Sequence, residues 1–109
     1  MDIEFSSPDL QNLCEQQRIM TKQLGEPCSR KLRTRLADLK AVTNVGELSA
    51  GRPHPLKGDR AGQFALDLFG AKRLVFESAN NPVPVRDDGA IAWHQVTKVR
   101  IVFIGDYHD

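Results

Sequence analysis

The chain has 109 residues, of which 40% are hydrophobic and 27% charged, and its formal net charge is +1. These values are typical of one soluble globular domain, so we expect a single domain over 1–109. No apolar run approaches the roughly 20 residues that a membrane-spanning helix needs, and the acidic start, Met1 to Glu4, is unlike a signal peptide. We therefore expect a cytoplasmic protein without a membrane segment, in which Cys14 and Cys28 are reduced.

The basic residues are unevenly distributed along the chain. Residues 30–60 carry eight basic and three acidic groups, a net charge of +5, whereas residues 1–29 and 61–109 carry −3 and −1. A local excess of positive charge attracts phosphates even when the whole molecule is nearly neutral. A solvated helix face is the simpler interpretation for Arg30, Lys31, Arg33 and Arg35.

The first part of the chain predicts a strand followed by two helices. Ile3 and Phe5 alternate with polar neighbours, which is the pattern of a short strand. The Ser-Pro-Asp sequence at residues 7–9 predicts a helix start, because it supplies a capping hydroxyl, a proline in the first turn and a carboxylate at the positive end of the helix dipole. Gly25 predicts the end of this helix. Apolar residues at intervals of three and four then predict a second helix up to Val42.

The second part predicts three strands at about 63–68, 73–77 and 96–104, because apolar and polar residues alternate there. The alternation places Phe76 in the core and Arg73 on the opposite, open face, and it places Phe103 on the same face as Ile101. The order β-α-α-β-β-β, with helices and strands segregated, predicts an α+β fold. In this fold the N-terminal strand and a two-helix hairpin pack on one face of a small, mostly antiparallel twisted sheet.

The candidate chemistry lies in two short segments. Residues 54–62, with the sequence His-Pro-Leu-Lys-Gly-Asp-Arg-Ala-Gly, place an imidazole, an ammonium and a guanidinium beside two glycines that let a ligand approach the backbone. Asp106, Tyr107 and His108 add a carboxylate, a phenol and a second imidazole after the last strand. These groups are suited to proton transfer and phosphate binding in metal-free RNA cleavage. Histidines at 54, 94 and 108 form no zinc motif, so we expect no metal and no cofactor.

Three stretches together resemble the HigB branch of the RelE/ParE toxin superfamily: residues 54–63, the Arg-Leu-Val-Phe sequence at 73–76, and residues 99–108. The resemblance covers the second half of the chain, and the first half agrees in element order. It implies a RelE-like fold of the microbial ribonuclease type. It also implies the toxin of a type II toxin–antitoxin pair, an endoribonuclease that cleaves mRNA on the translating ribosome and arrests growth. The implied partners are the ribosome with its mRNA and a cognate antitoxin, often a helix-turn-helix protein.

Within this resemblance the residues receive roles. His54 and His108 transfer protons, because the unperturbed pKa of imidazole, about 6.5, lies near cellular pH. Arg73 binds the scissile phosphate with two parallel hydrogen bonds and Lys57 binds it as a point charge. Tyr107 stacks on a base or orients His108. The predicted catalytic residues are thus His54, Arg73, Tyr107 and His108, and the predicted RNA-binding or phosphate-binding residues are Lys57, Arg60 and Asp106.

Three features depart from the family pattern. Lys72 stands where relatives often carry an aromatic residue. Asp67 stands where relatives tend to carry a basic residue and asparagine, and it would repel phosphate if it faced the cleft. The loop at 78–95 is longer than the tight hairpin common in the family. Within that loop we interpret Trp93 as a loop anchor or antitoxin contact and His94 as structural.

Simpler interpretations and other functions remain open at this point. His54 before a proline is compatible with a loop-capping role, and Lys57 and Arg60 with ordinary exposed loop charges. A ParE-like toxin that poisons DNA gyrase would have the same fold without such a catalytic cluster. A catalytically silent relative that only binds its antitoxin would fit Asp67 and the small net charge. The presence of both histidine-containing segments favours the nuclease.

Overall fold

In the computed structural model, which describes residues 1–107, three α-helices and a five-stranded sheet form the α+β fold that the sequence predicts. The strands are β1 (Asp2–Phe5), β2 (His54–Pro55), β3 (Gln63–Asp67), β4 (Arg73–Ser78) and β5 (Lys98–Gly105). The helices are α1 (Pro8–Glu15), α2 (Gln17–Leu24) and α3 (Glu26–Ala41). Short 3-10 turns lie at Val45–Glu47, Gly58–Arg60 and Trp93–Gln95. His108, a predicted catalytic residue, lies outside the described residues.

The sheet has the strand order β1-β5-β4-β3-β2. Strand β1 runs parallel to β5, with Ile3 beside Val99, and the other neighbouring strands are antiparallel. The sheet is therefore mixed and mostly antiparallel. Strand β2 is a two-residue edge strand inside the predicted connecting loop, and it attaches His54 to Ala65 of β3. This pairing fixes the start of the loop that carries the candidate chemistry.

The core lies between the helices and one face of the sheet. Leu32 and Leu39 of α3 are fully buried against side chains from the central strands, among them Leu66, Phe76 and Ile101. Burying side chains of this size contributes about 1.5–3 kcal/mol each. The opposite face of the sheet, here called the open face, faces away from the helices, and its central residues Ala65 and Val75 are also buried.

The first predicted helix is divided into α1 and α2. Gln16 has an extended conformation, with φ −118° and ψ 103°, and it separates the two helices. The polar run at residues 15–18 interrupts the apolar spacing, and the bend lets Leu13 and Met20 both reach the core. The hairpin predicted from the sequence is therefore a three-helix layer.

A β-bulge changes the face on which the end of β5 lies. Phe76 pairs with Ile101 but Val75 pairs with Phe103, so Val102 is an extra residue between them. One extra residue reverses the side-chain alternation of a strand. The prediction that Phe103 shares a face with Ile101 is therefore wrong: Phe103 lies opposite Val75, on the open face.

Candidate functional site

A cleft of about 800 Å³ lies where the loop after β2 meets the end of β5. Its lining combines residues from β2, the 3-10 turn and the chain beyond β5, namely His54, Pro55, Leu56, Lys57, Asp59, Arg60 and Tyr107. The cleft therefore brings together four of the predicted site residues. Arg73 and Asp106 do not line it.

The imidazole of His54 is held by the backbone two residues earlier. Its Nδ1 lies 2.7 Å from the carbonyl oxygen of Arg52. A carbonyl oxygen only accepts hydrogen bonds, so Nδ1 carries the proton and donates it. In the neutral ring, Nε2 then has a free lone pair. This is the protonation state that a general base needs.

Arg52 reaches this position through a left-handed turn. Gly51 and Arg52 have φ values of 83° and 49°. For a residue other than glycine this conformation costs roughly 1–2 kcal/mol, so it persists only where surrounding contacts hold it. Two contacts with Asp67 are present: the backbone N–H of Asp67 donates to the carbonyl oxygen of Gly51 at 2.7 Å, and its carboxylate binds the Arg52 guanidinium.

Asp67 binds two arginines at once. Its Oδ2 accepts from Nε of Arg52 at 2.9 Å, and its Oδ1 lies 3.3 Å from Nη2 of Arg52 and 2.8 Å from Nε of Arg73. The hydrogen bond with Asp67 raises the pKa of Arg52, and the nearby Tyr107 phenol acts in the same direction. The three charged groups together carry a net charge of +1. The carboxylate therefore leaves this corner of the open face cationic.

Arg73 is engaged by the turn between β3 and β4. Besides Asp67, its guanidinium contacts two carbonyl oxygens, with Nη1 donating to Gly70 at 3.1 Å and to Lys72 at 3.0 Å. Its side chain is 14% exposed. Arg73 pairs with Gly105 across the sheet. The guanidinium is thus fixed at the edge of the cleft region and supports Asp67.

Arg60 is the most constrained cation in the cleft. Its Cζ lies 4.5 Å from the ring centroid of Phe103 and 5.5 Å from that of Tyr107, and its Nη1 donates to Oε1 of Gln63 at 2.9 Å. A guanidinium over an aromatic face gains cation–π attraction. The bulge in β5 supplies one of these rings, since it moves Phe103 to the open face.

Lys57 lines the cleft as an exposed side chain at the start of the 3-10 turn. Tyr107 is half-buried and lines the same cleft. The lining thus combines an imidazole, two cations and a phenol. Such a set can accept a proton and stabilise a negatively charged phosphorane.

Unlike the cations of the cleft, Arg100 on β5 is paired with two carboxylates. Its Nη1 donates to Glu77 at 2.7 Å and its Nη2 donates to Glu4 at 3.1 Å. Lys98 lies 3.1 Å from the other oxygen of Glu4. This part of the open face is therefore a network of neutralised charges.

The long loop between β4 and β5 is anchored by Trp93. The Trp93 ring lies 4.8 Å from Phe64 and 6.4 Å from Phe76, measured between centroids. Trp93 also lines a groove of about 530 Å³ with Pro55, Ile91 and others next to the cleft. Its position agrees with the loop-anchor interpretation, and His94 is exposed.

Phe103 and Arg52 are the residues near the cleft that sequence reasoning missed. Regular alternation along β5 predicts that Phe103 faces the core, and the bulge reverses this alternation. For Arg52, the glycine and proline at 51 and 53 indicate a loop, but a residue before proline ordinarily favours an extended conformation, so its left-handed conformation was not predictable.

Two further properties concern the described chain. Within residues 1–107, no group of three or more His, Cys, Asp or Glu side chains is arranged to hold a metal ion. In the same part of the chain, no helix is long and apolar enough to cross a membrane.

Several solved structures share this architecture. The chain is similar to the YoeB/ParE toxin from Agrobacterium tumefaciens, with a TM-score of 0.61, 13% identity and coverage of 98% of this chain and 99% of that one. It is also similar to chains of a YoeB-YefM complex and of a heterotetrameric YoeB-YefM toxin-antitoxin complex, both from Staphylococcus aureus. The TM-score is 0.57 for each, with 17% and 18% identity, and the coverage is 100% of this chain and 98% of those. No protein-family model and no curated protein matches the sequence. At these identities the likeness shows the fold, which is that of the YoeB/ParE-type toxins.

Proposed function

We propose that the chain is the toxin of a type II toxin–antitoxin pair and acts as a metal-independent endoribonuclease on ribosome-bound mRNA. The observation that carries the proposal is the cleft in which His54, Lys57, Arg60 and Tyr107 converge. Support for the partner comes from the fold, since similar chains occur in toxin-antitoxin complexes. The cognate partner would be an antitoxin protein that inhibits the activity of the cleft.

The proposed reaction begins at the imidazole of His54. Its Nε2 takes the proton of a ribose 2′-hydroxyl, and the 2′-oxygen attacks the neighbouring phosphorus. The bond from phosphorus to the 5′-oxygen breaks, and His108 donates a proton to that leaving oxygen. The products are a 2′,3′-cyclic phosphate and a 5′-hydroxyl end.

The cations of the cleft would stabilise the charge that develops on the phosphorane. Arg60 is already held by Phe103 and Gln63, so it offers a guanidinium at a fixed position, and Lys57 adds a movable point charge. Tyr107 would stack on a base next to the scissile bond. In this proposal Arg73 acts from outside the cleft by holding Asp67, and Asp106 orients an imidazole or a neighbouring arginine.

The test is to induce the wild-type chain and single variants in bacteria that lack the antitoxin and to map mRNA 5′ ends. We expect new ends inside reading frames with wild type, and their loss in His54→Ala and His108→Ala. Removing an acid–base group should lower the rate by roughly 10²–10⁴. The matched control is His94→Ala, since His94 is exposed and lies outside the cleft.

The other outcomes separate the alternatives. Growth arrest with intact transcripts would contradict the nuclease and favour a gyrase poison. Neither arrest nor cleavage would indicate a silent relative that binds its antitoxin. Cleavage that persists in His54→Ala would remove His54 from the proposed site.

A further inference from the structure

A chain of polar contacts leads from β4 through β3 to the imidazole of His54. Arg73 on β4 contacts Asp67 on β3 at 2.8 Å, and Asp67 contacts Arg52 at 2.9 Å. The carbonyl oxygen of Arg52 lies 2.7 Å from Nδ1 of His54. The first two links join different segments of the chain and the last joins residues two positions apart, so His54 is connected through Asp67 to the start of the central strand β4.

Asp67 holds the Gly51–Arg52 turn at two points. Its backbone N–H binds the carbonyl oxygen of Gly51, and its carboxylate binds the side chain of Arg52. The left-handed φ of 49° at Arg52 needs such support, because a side chain other than that of glycine disfavours it. If the turn relaxed, the Arg52 carbonyl would rotate away from the imidazole.

We propose that Asp67 and Arg52 are positioning residues that hold His54 in the tautomer with its proton on Nδ1, so that Nε2 carries the lone pair. The proposal rests on the proposed function for its catalytic meaning. The tautomer itself is a property of the folded protein and does not depend on that function. Arg73 completes the set, because it forms an ion pair with the same carboxylate.

This proposal gives a role to Asp67, which departs from the family pattern at this position. An acidic residue near a phosphate site would be unfavourable alone, but here two guanidinium groups surround it. The carboxylate fastens the turn that orients the base. The Asp67 carboxylate, which alone would repel phosphate, thus stabilises the position of His54.

The first experiment measures the ring nitrogens of His54 by ¹⁵N NMR in the full chain at a pH where the imidazole is neutral. We expect the Nδ1–H tautomer in wild type and a mixture of tautomers in Arg52→Ala and Asp67→Ala. The matched control is Arg86→Ala. Arg86 has a similar side-chain exposure, 61% against 63% for Arg52, pairs with Asp88 at 3.5 Å and does not line the cleft. Its loss should leave the tautomer unchanged.

The second experiment measures RNA cleavage by the same variants. We expect a loss of at least about tenfold in Arg52→Ala and Asp67→Ala, since an incorrect tautomer disables a general base. The double variant should lose little more than either single variant, because both changes break one chain of contacts. Arg52→Lys, which keeps a cation beside Asp67, should recover part of the activity.

An unchanged tautomer in Arg52→Ala and Asp67→Ala would overturn the proposal, while cleavage that depends on His54 would leave the proposed function intact. A tautomer that changes in a chain without nuclease activity would support the positioning and contradict the proposed function. A lower melting temperature with an unchanged tautomer would assign the contacts to stability alone and likewise overturn the proposal.

Discussion

At the scale of single residues, the two cations of the cleft differ in how firmly they are held. Arg60 lies over Phe103, near Tyr107, and donates to Gln63. Lys57 is exposed. A cation that is already in position loses less conformational freedom when it binds a phosphate. Arg60 should therefore contribute more to cleavage than Lys57.

This difference predicts the effect of changing each cation. Arg60→Lys keeps the charge but loses the planar group that stacks on Phe103, and we expect cleavage to fall by about tenfold or more. Lys57→Ala should have a smaller effect. Single-turnover cleavage of mRNA on ribosomes measures both variants. Full activity in Arg60→Lys beside a clear loss in Lys57→Ala would show that charge alone matters and that the stacking of Arg60 has no catalytic consequence.

Cys14 provides a second prediction for a single residue. Burial raises the pKa of its thiol to about 12, and the adjacent Glu15 acts in the same direction. The thiolate is the reactive form, so at pH 8 we expect alkylation of Cys14 to be at least about a hundredfold slower than that of a free cysteine. Iodoacetamide labelling followed by peptide mass spectrometry measures this rate. Labelling in urea, where the burial is lost, is the control; equally fast labelling of the folded chain would contradict the prediction.

At the scale of elements, the β5 strand determines which side chains reach the cleft. The bulge at Val102 places Phe103 under Arg60 and returns Ile104 to the side of the core. Gly105, which follows, lies so close to Phe103 that an added Cβ would be 3.1 Å from its ring. The Phe103 ring therefore packs closely against the backbone of Gly105 at the end of β5.

We therefore expect Phe103→Leu to reduce cleavage more than stability. Leucine keeps an apolar side chain at the half-buried position but removes the aromatic face that attracts the Arg60 guanidinium. A several-fold lower cleavage rate with a melting temperature near that of wild type is the expected result. A large fall in melting temperature with a proportional loss of activity would instead make Phe103 a packing residue only.

The ion pairs between Glu4 of β1 and the basic residues Lys98 and Arg100 of β5 should make the stability of the fold depend on pH. A hydrogen bond from Lys98, together with Arg100, lowers the pKa of Glu4 below its ordinary value of 4.5. A carboxylate whose pKa is lower in the folded state stabilises the fold above its unfolded pKa, and this contribution is lost as the pH falls through the folded pKa.

Urea unfolding of wild type and Glu4→Gln between pH 3 and pH 7 tests this sign. The difference in midpoint should be small, present at pH 7 and lower at pH 3. Glu15→Gln is the control, because the Glu15 carboxylate accepts a hydrogen bond from the neutral amide of Gln11. If the difference in midpoint between wild type and Glu4→Gln grew as the pH falls, it would contradict a stabilising interaction of the Glu4 carboxylate with Lys98 and Arg100.

At the scale of the whole molecule, acidic residues cancel much of the basic charge on the open face. Asp67 binds Arg52 and Arg73, and Glu4 and Glu77 bind Arg100. The cleft therefore depends on a few cations rather than on a broad basic surface. Under the proposed function, this arrangement suits the cleavage of RNA that is already bound to the ribosome.

We accordingly expect weak binding of isolated single-stranded RNA with a shallow dependence on salt. Each phosphate contact with a single strand contributes a slope of about −0.7 in log K against log salt, so two or three contacts predict roughly −1.5 to −2. Fluorescence anisotropy of a labelled RNA at several salt concentrations measures the slope. A value near −5 would indicate a much larger basic interface than the cleft offers.

The sequence was sufficient for the fold because apolar spacing and capping residues act locally. The Ser-Pro-Asp start of α1 and the alternation in β3 and β4 have direct counterparts in the structure. The site was less predictable because its geometry depends on contacts between distant residues. The pairing of Asp67 with Arg52 spans 15 positions, and no pattern within either segment indicates it. The bulge that moves Phe103 is likewise a property of strand pairing.

The anchoring of the long loop has a practical consequence. Trp93 is the sole tryptophan of the chain. Its indole packs on Phe64 and also borders the groove beside Pro55 and Ile91. The tryptophan fluorescence of the chain therefore reports on the surroundings of one indole, which lies between the core and the groove next to the cleft. A molecule that fills this groove would shift the emission of the native protein without labelling, and unfolding would shift it separately as the indole leaves Phe64.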